Sequence, residues 1–383
     1  MKRLLLLGGG HAHVEVLRRF ALRRDPEAAI TLLSPHRQTP YSGMLPGLVA
    51  GHYRYDEAHI DLGPLARWAG ASFLQTRVER LDAANRIAYC ADGSERMFDV
   101  CSIDIGSTPR MDVPGAREHT IGVKPVERFL ERWTRELAQA RSGAHEDIAI
   151  VGGGAGGLEI LLAMQYAARV AVTNLAQLPR FHLLTDTQTI LPSHSPVVRR
   201  VFQRVLAARD VTVHLWAQVV AVQPKQLQCA DGRLLRAGLI VWATTASAAP
   251  WIRESGLAVD ANGFMMVDRH LESTSHRHFF GSGDIATLQN ARLPKSGVFA
   301  VRQAPVLAHN LRCALHEEPL LPFITKPTAL GLISTGDRYA VMSWGRFALA
   351  GRWVWRWKDA IDRRFMEKYR VLPESESTGQ QAT

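Results

Sequence analysis

Gly152-Gly-Gly154-Ala-Gly-Gly157 satisfies G-x-G-x-x-G directly after the apolar run over 148–151 and at the start of a helix-compatible stretch over 158–169. Each glycine has a physical reason. Gly152 permits the tight turn, Gly154 lets the backbone approach a pyrophosphate, and Gly157 lets helix and strand pack closely. The helix N-terminus then offers free N–H groups and the positive end of its dipole to the phosphates. In an earlier copy Gly8 and Gly10 are in place, but His13 stands in the third position. A side chain there needs a wider helix–strand approach or must point aside. The ribose position also differs. An acid is expected about 20 residues on, at the end of the second strand. In the first copy that strand ends in Ser34-Pro35, a hydroxyl that would bond a ribose more weakly than a carboxylate. In the second copy the place is Thr185-Asp186. Asp186 either meets a ribose 2′-OH, slightly favouring NAD over NADP, or is a turn residue. His11 and His13, at i and i+2, do not face each other on a helix. No cluster of ligand spacing lies nearby, so no metal site is expected.

The four cysteines, Cys90, Cys101, Cys229 and Cys313, form no CxxC or similarly tight pair. This argues against a disulfide-stapled secreted domain, a zinc ribbon and a local redox dithiol, while a pair meeting only in space stays open.

The elements that must position these residues occur twice. Residues 4–10 read as strand then glycine turn, and residues 148–154 read the same way. Each is followed by a helix-compatible segment and another apolar strand, over 30–33 and 181–184. Downstream, Cys-Ala-Asp-Gly recurs at 90–93 and 229–232. Asp-Gly between apolar runs is a strong hairpin signal. Exit strands follow, over 98–106 and 239–243. The shared order of βαβ unit, hairpin and exit strand implies two Rossmann-like, doubly wound α/β domains that bind dinucleotides.

The 383 residues are enough for two or three domains. With 46% hydrophobic and 21% charged residues, ordinary buried cores are expected and wholesale disorder is not. A net charge of +10 points to an anionic partner: nucleic acid, an acidic membrane surface or cofactor phosphates. No nucleic-acid module accompanies the charge. The apolar run over 4–7 is too short for a secretory core segment, and no run reaches the length of a membrane span. A cytoplasmic protein is expected, with a frayed polar tail over 374–383. Residues 346–370 carry eight Lys/Arg against three Asp/Glu, half of the net charge. Within them Trp353, Trp357, Ile361, Phe365 and Tyr369 recur every four residues, an apolar stripe on a helix. Aromatic residues beside Arg and Lys suit peripheral contact with an anionic inner leaflet. The same stripe suits docking on the first domain or a homodimer partner.

Phe279-Phe-Gly-Ser-Gly-Asp284, an apolar strand ending in Gly-Asp, resembles the late FAD motif of the pyridine nucleotide-disulfide oxidoreductase superfamily. Ile105-Gly106-Ser-Thr-Pro109 resembles its crossing strand between domains. A narrower resemblance, over roughly residues 3 to 370, is to the FAD/NAD(P)-binding group related to type II NADH dehydrogenases, sometimes fused in front of selenide, water dikinase. It rests on Gly8-Gly-Gly-His-Ala-His-Val14, Thr39-Pro-Tyr-Ser-Gly-Met-Leu-Pro46, Val123-Lys-Pro125, Pro294-Lys-Ser-Gly297, Phe299-Ala-Val-Arg-Gln-Ala-Pro305 and Lys358-Asp-Ala-Ile-Asp-Arg-Arg-Phe-Met366. No kinase domain follows in this chain, so a selenium role is not expected from the fusion.

The resemblance implies an FAD domain over 1–118 and 272–320, an NAD(P) domain over 119–271 inserted in it, and a small C-terminal α+β domain over 321–383. It implies FAD contacts at Gly8, Gly10, His11, Ala12, Ser34, Ser42, Gly43, Val78 (through its backbone), Gly106, Gly283, Asp284 and Lys295. NAD(P)H would meet Gly152, Gly154, Gly157, Thr185 and Asp186. Hydride passes from nicotinamide C4 to flavin N5, a reaction the cofactors carry. At the place of Glu159, comparable reductases direct a Glu toward the two rings, to orient the nicotinamide or relay protons. A helix-start acid stabilised by the dipole is the plainer role. Lys295 would place positive charge beside the reduced flavin, or is a solvated loop lysine. Gln303 lies where related quinone reductases line the acceptor pocket, or is a buried, hydrogen-bonded amide. Glutathione-reductase-like enzymes need a close dithiol after the first motif, and no Cys lies between 14 and 89. Sulfide:quinone oxidoreductases need reactive cysteines near the flavin, and none lies between 152 and 228 or beyond Cys313. The implied activity is FAD-dependent NAD(P)H oxidation with electrons passing to a quinone. The alternatives are a soluble reductase with another acceptor, linked to sulfur or selenium, and a non-catalytic flavin-binding redox sensor.

Overall fold

A computed structural model describes residues 1–143, 146–244, 246–325 and 330–370. The tail over 374–383, expected to fray, lies outside the described residues. The first strand, Lys2–Leu7 (β1), buries Leu4, Leu5, Leu6 and Leu7 almost completely. So continuous an apolar run belongs in a strand covered on both faces, as in a parallel sheet between helices. Each fully buried leucine contributes roughly 1.5–3 kcal/mol. Helix His11–Leu22 (α1) follows, then strands Ala28–Leu33 (β2), Ser72–Leu74 (β3) and Val100–Ile103 (β4). The exit strand β4 is shorter than the expected 98–106. Asp99, just before it, turns its carboxylate back to accept from the Arg3 backbone N–H at 2.7 Å.

The second unit has strands Ile121–Gly122 (β5), Ile148–Val151 (β6), Phe181–Leu184 (β7), Thr212–His214 (β8) and Leu239–Trp242 (β9). Its helices are Val126–Arg141 (α2), Ala155–Ala171 (α3) and Pro196–Ala208 (α4). The chain then returns to the first sheet through Phe279–Gly281 (β10) and helix Gly297–His316 (α5). Both sheets are parallel throughout, with matching orders β10-β4-β1-β2-β3 and β5-β9-β6-β7-β8. Each unit also carries a three-stranded antiparallel meander. Val78 pairs with Cys90 before a register shift in one, and Val219 pairs with Cys229 before the same shift in the other. The duplication therefore extends to the register. Where the chain crosses between units, Thr108–Pro109 pairs antiparallel with Ala246–Ser247.

The C-terminal unit is an antiparallel sheet of Gly331–Ser334 (β11), Ala340–Trp344 (β12) and Phe347–Gly351 (β13), followed by helix Arg352–Arg370 (α6). It packs on both larger units. Phe365, Met366 and Tyr369 join the first core, while Ile333 and Val341 join the second. The apolar stripe of α6 splits accordingly. Phe365 and Tyr369 are buried, but Trp353, Trp357 and Ile361 are 53%, 41% and 42% exposed. Each step of four residues advances about 40° around a helix, so four steps rotate the stripe by about 160°. Among the described residues no helix is long and apolar enough to cross a membrane.

Candidate functional site

The first glycine turn depends on contacts across β1 and β4. Gly8 has φ +96°, and a Cβ there would run into the Asp104 carbonyl oxygen. His13, in place of the third glycine, points aside and is fully buried. Its Nδ1–H donates to Gly8 O at 2.7 Å, and Nε2 accepts from the Ser102 hydroxyl at 2.8 Å. Burial holds its pKa down at about 4, so the ring is neutral. Asp104, just beyond β4, aims its carboxylate at the start of α1. It accepts from Ala12 N at 2.8 Å and His13 N at 3.1 Å. A Cβ on Gly10 or Gly283 would meet that carboxylate. Burial raises the Asp104 pKa to about 7, against the pull of the two amides.

Asp284 follows β10. Its Oδ2 accepts from the Ser107 hydroxyl at 3.0 Å and lies 3.5 Å from Lys124 Nζ. Its Oδ1 is buried without a partner among the described residues. Gly106, at φ +69°, has Lys124 as its neighbour. Gln303 is buried, and its Oε1 accepts from Gly283 N at 2.7 Å, so the amide fixes the Gly-Asp turn. Lys295 donates to Ala286 O at 2.7 Å and Thr287 Oγ1 at 3.0 Å, 4.0 Å from the centre of the Phe264 ring. It is thus tethered rather than solvated, and burial lowers its pKa to about 8. His11 Nε2 accepts from Ser42 N at 3.3 Å, and its ring meets Tyr41 edge-on. Burial, then Lys124, lowers its pKa to about 4. Gly297, at the start of α5, is so close to Ser42 that a Cβ would come within 2.7 Å of the hydroxyl. His11, Ser42, Gly106, Lys124, Asp284 and the start of α5 therefore converge. Ser34 donates to His36 O at 2.9 Å within its own turn. Val78 is buried at the head of the meander.

In the second turn Gly152 has φ +132° and abuts the Ala243 carbonyl, while a Cβ on Gly157 would run into Gly152 O. Gly154 and Gly156 face open space, and among the described residues no side chain accepts from the first amides of α3. Thr185 packs on Gly153, and its hydroxyl is 2.8 Å from that of Thr187. Asp186 is exposed. Glu159, mostly buried, accepts from Ser334 N of β11 at 2.7 Å. Burial pushes its pKa up to about 7, with the Lys358 charge opposing. Glu159 therefore joins α3 to the C-terminal unit instead of capping its own helix.

Four residues of this region escaped the sequence reading: Asp104, Ser107, Lys124 and Lys358. For Asp104 a signal existed, an acid at the end of a buried strand whose duplicate ends in Ala243. The residues present fit two dinucleotides. Asp284 offers a free buried acceptor to cofactor hydroxyls, and α3 offers an uncapped N-terminus to phosphates. All four cysteines are unpaired and buried.

Paired parallel units with glycine turns at matching edges define a two-dinucleotide oxidoreductase fold. Residues 2–304 match the family model of the pyridine nucleotide-disulphide oxidoreductases. The chain is 25% identical over 368 residues to the demethylphylloquinone reductase NdbB of Synechocystis sp., covering 91% of this chain and 88% of that protein. Its structure is similar to the sulfide:quinone oxidoreductase of Aquifex aeolicus, with TM-score 0.78, 18% identity, and 97% and 92% of the two chains covered. It is similar also to NDH2 of Plasmodium falciparum solved with NADH, with TM-score 0.78, 13% identity, and 97% and 99% covered. The chain belongs to the pyridine nucleotide-disulphide oxidoreductase family. It is an FAD-dependent NAD(P)H oxidoreductase of the NADH dehydrogenase-like kind.

Proposed function

We propose that this enzyme passes electrons from NAD(P)H through FAD to a quinone at a membrane surface, without a cysteine pair. The observation that carries this is the exposed apolar face of the C-terminal unit. Trp344, Phe347 and Leu349 of the hairpin are exposed, as are Trp353, Trp357 and Ile361 of α6. Arg346, Arg352 and Arg356 intersperse them in the sequence. An exposed apolar patch with cations suits an anionic leaflet, where a lipid-soluble acceptor resides. The other end of α6 packs into the FAD unit, so patch and flavin site share one helix. The reductase NdbB, a relative over most of the chain, is named for a quinone-type acceptor.

Bound FAD would take the hydride at N5 and hold the electron pair. In this reading Gly8, Gly10, His11 and Ala12 meet its pyrophosphate, and Ser34 and the Val78 backbone meet the adenosine end. Ser42, Gly43, Gly106, Gly283 and Asp284 hold the ribityl and ring end. Lys124 and Lys295 add positive charge that favours the reduced ring. Gly152, Gly154 and Gly157 hold the phosphates of NAD(P)H, with Thr185 and Asp186 at its ribose. Gln303 supports the acceptor side by fixing Gly283. Units over 1–118 with 272–320, 119–271 and 321–383 belong to the same proposal. The test combines NADH oxidation with ubiquinone and menaquinone analogues and sedimentation with anionic vesicles. We expect saturable quinone reduction and vesicle binding that high salt releases. Reduction of ferricyanide but of neither quinone would overturn the acceptor. No binding at low salt would overturn the membrane contact.

A further inference from the structure

Asp104 divides its carboxyl oxygens between two tasks. Oδ2 accepts from Ala12 N at 2.8 Å and His13 N at 3.1 Å, while the Asp104 backbone oxygen accepts from Gly10 N at 3.1 Å. Gly8 N is bonded to Leu33 O at 2.8 Å. Among the described residues, only the amides of Gly9 and His11 are then left free in this turn. Oδ1 accepts no hydrogen bond from the described residues. It lies between the two glycine turns of the flavin unit. A Cβ on Gly10 would run into it, and one on Gly283 would come within 2.7 Å of it. Asp104 is only 2% exposed, so bulk water does little to screen it. The charges that face it are Lys124, before α2, and Asp284, after β10. On α1, His11 and His13 are neutral above about pH 4.

A pyrophosphate seated between these turns brings two negative charges to a place that offers two free amides and one unbonded carboxyl oxygen. An ionised carboxylate there would repel it, because like charges resist sharing a desolvated place. Dinucleotide phosphates are strong acids, so the carboxyl is the group that takes a proton. A carboxylic acid keeps Oδ2 as acceptor for the two amides and gains a donor at Oδ1. We propose that Asp104 is a phosphate contact of the flavin site: its Oδ1–H donates to a pyrophosphate oxygen of FAD, and the cofactor binds together with one proton taken from solvent. The proton adds to the carboxylate as the O–H···O bond forms, and no other bond changes. Burial favours the same form of Asp104 before the cofactor arrives. In the second unit Ala243 stands in this place, so its dinucleotide binds without such a proton. This rests on the placement of FAD against Gly10 and Gly283 given above.

The experiment uses holoenzyme of the whole chain, as wild type and as Asp104→Asn. The asparagine amide accepts at one end and donates at the other but does not ionise. FAD dissociation is followed between about pH 6 and 9 by the fluorescence of flavin released on dilution. In wild type the dissociation constant should rise with pH above about 7, by up to about ten-fold per unit. Asp104→Asn should match wild type within about three-fold at about pH 6 and bind FAD roughly ten-fold or more tightly at about pH 9. Lys295 loses its charge near pH 8 in both enzymes, so it does not enter the difference. Calorimetry of flavin-depleted protein at about pH 8, in two buffers of different ionisation enthalpy, then counts protons. Wild type should take up about one proton more than Asp104→Asn with FAD and with ADP-ribose, but not with riboflavin, which lacks phosphate. Equal uptake in the two enzymes overturns the proposal. So does a roughly ten-fold weaker FAD complex of Asp104→Asn at about pH 6, which would make Asp104 an ionised acceptor for a flavin hydroxyl. Should Asp104→Asn fail to fold, as judged by circular dichroism, wild type alone decides. Uptake with ADP-ribose but not with riboflavin supports the contact, and any other pattern overturns it. Protein that takes ADP-ribose with a proton but binds no FAD would sink the placement of the flavin and leave the phosphate contact standing.

Discussion

In the second unit Gly157 stands so close to its turn that a Cβ would run into Gly152 O, whereas His13 takes that place in the first unit and bonds to Gly8 O. The strand ends differ in the same sense. Asp104 caps the start of α1, while Ala243 leaves the start of α3 open. The first unit satisfies its helix N-terminus internally and ties it to Ser102 of β4. The second leaves its amides for an incoming ligand.

The comparison can be broken from either side. Gly157→Val forces side-chain atoms into backbone that cannot yield, so a loss of about 3 kcal/mol or more is expected. Chemical denaturation of the holoenzyme checks it. His13→Ala removes two hydrogen bonds and leaves a cavity, for a loss of about 2–3 kcal/mol by the same measurement. Ala243→Asp places in the second unit the carboxylate found in the first. NADH affinity should fall roughly ten-fold while FAD content is unchanged, because the new charge competes with phosphate for the α3 amides. Titration of the variant with NADH reads this directly.

The smallest effects concern pH. The folded pKa of Asp104 is raised to about 7, so its stabilising contribution is present at low pH and is lost as pH rises through about 7. The folded pKa of His13 is lowered to about 4, so its contribution is present above the ordinary histidine range and lost as pH falls through about 4. Between about pH 4 and 7 the two slopes oppose each other, so the melting temperature of the parent should change little. Asp104→Asn should leave stability rising with pH across this interval and His13→Ala should leave it falling, each by roughly 1 kcal/mol.

The duplication was legible because glycine turns and Cys-Ala-Asp-Gly hairpins are local signals, and both meanders even repeat the same bulge. That the His13 side chain points aside was one of the two outcomes its steric problem allowed. Its partners could not be read, since Ser102 is 89 residues away. Glu159 was visible as an unusual acid near a helix start. Its bond to Ser334 crosses 175 residues, and nothing local marks it. The stripe on α6 was legible as a helix but not as two surfaces, because a period of four drifts around a helix of 3.6 residues per turn. Lys358 and Asp362 have the i, i+4 spacing of any helix-surface ion pair, and burial alone sets them apart.

The central claim is that two electrons travel from nicotinamide to flavin to quinone with no cysteine taking part. Sequential-mixing stopped flow under anaerobic conditions tests it, using holoenzyme in which Cys90, Cys101, Cys229 and Cys313 are each replaced by Ala. Flavin absorbance should bleach on mixing with NADH and return on mixing with a quinone analogue, at rates within about three-fold of the parent enzyme. Bleaching without return in both enzymes, or return lost with the cysteines, would contradict the account.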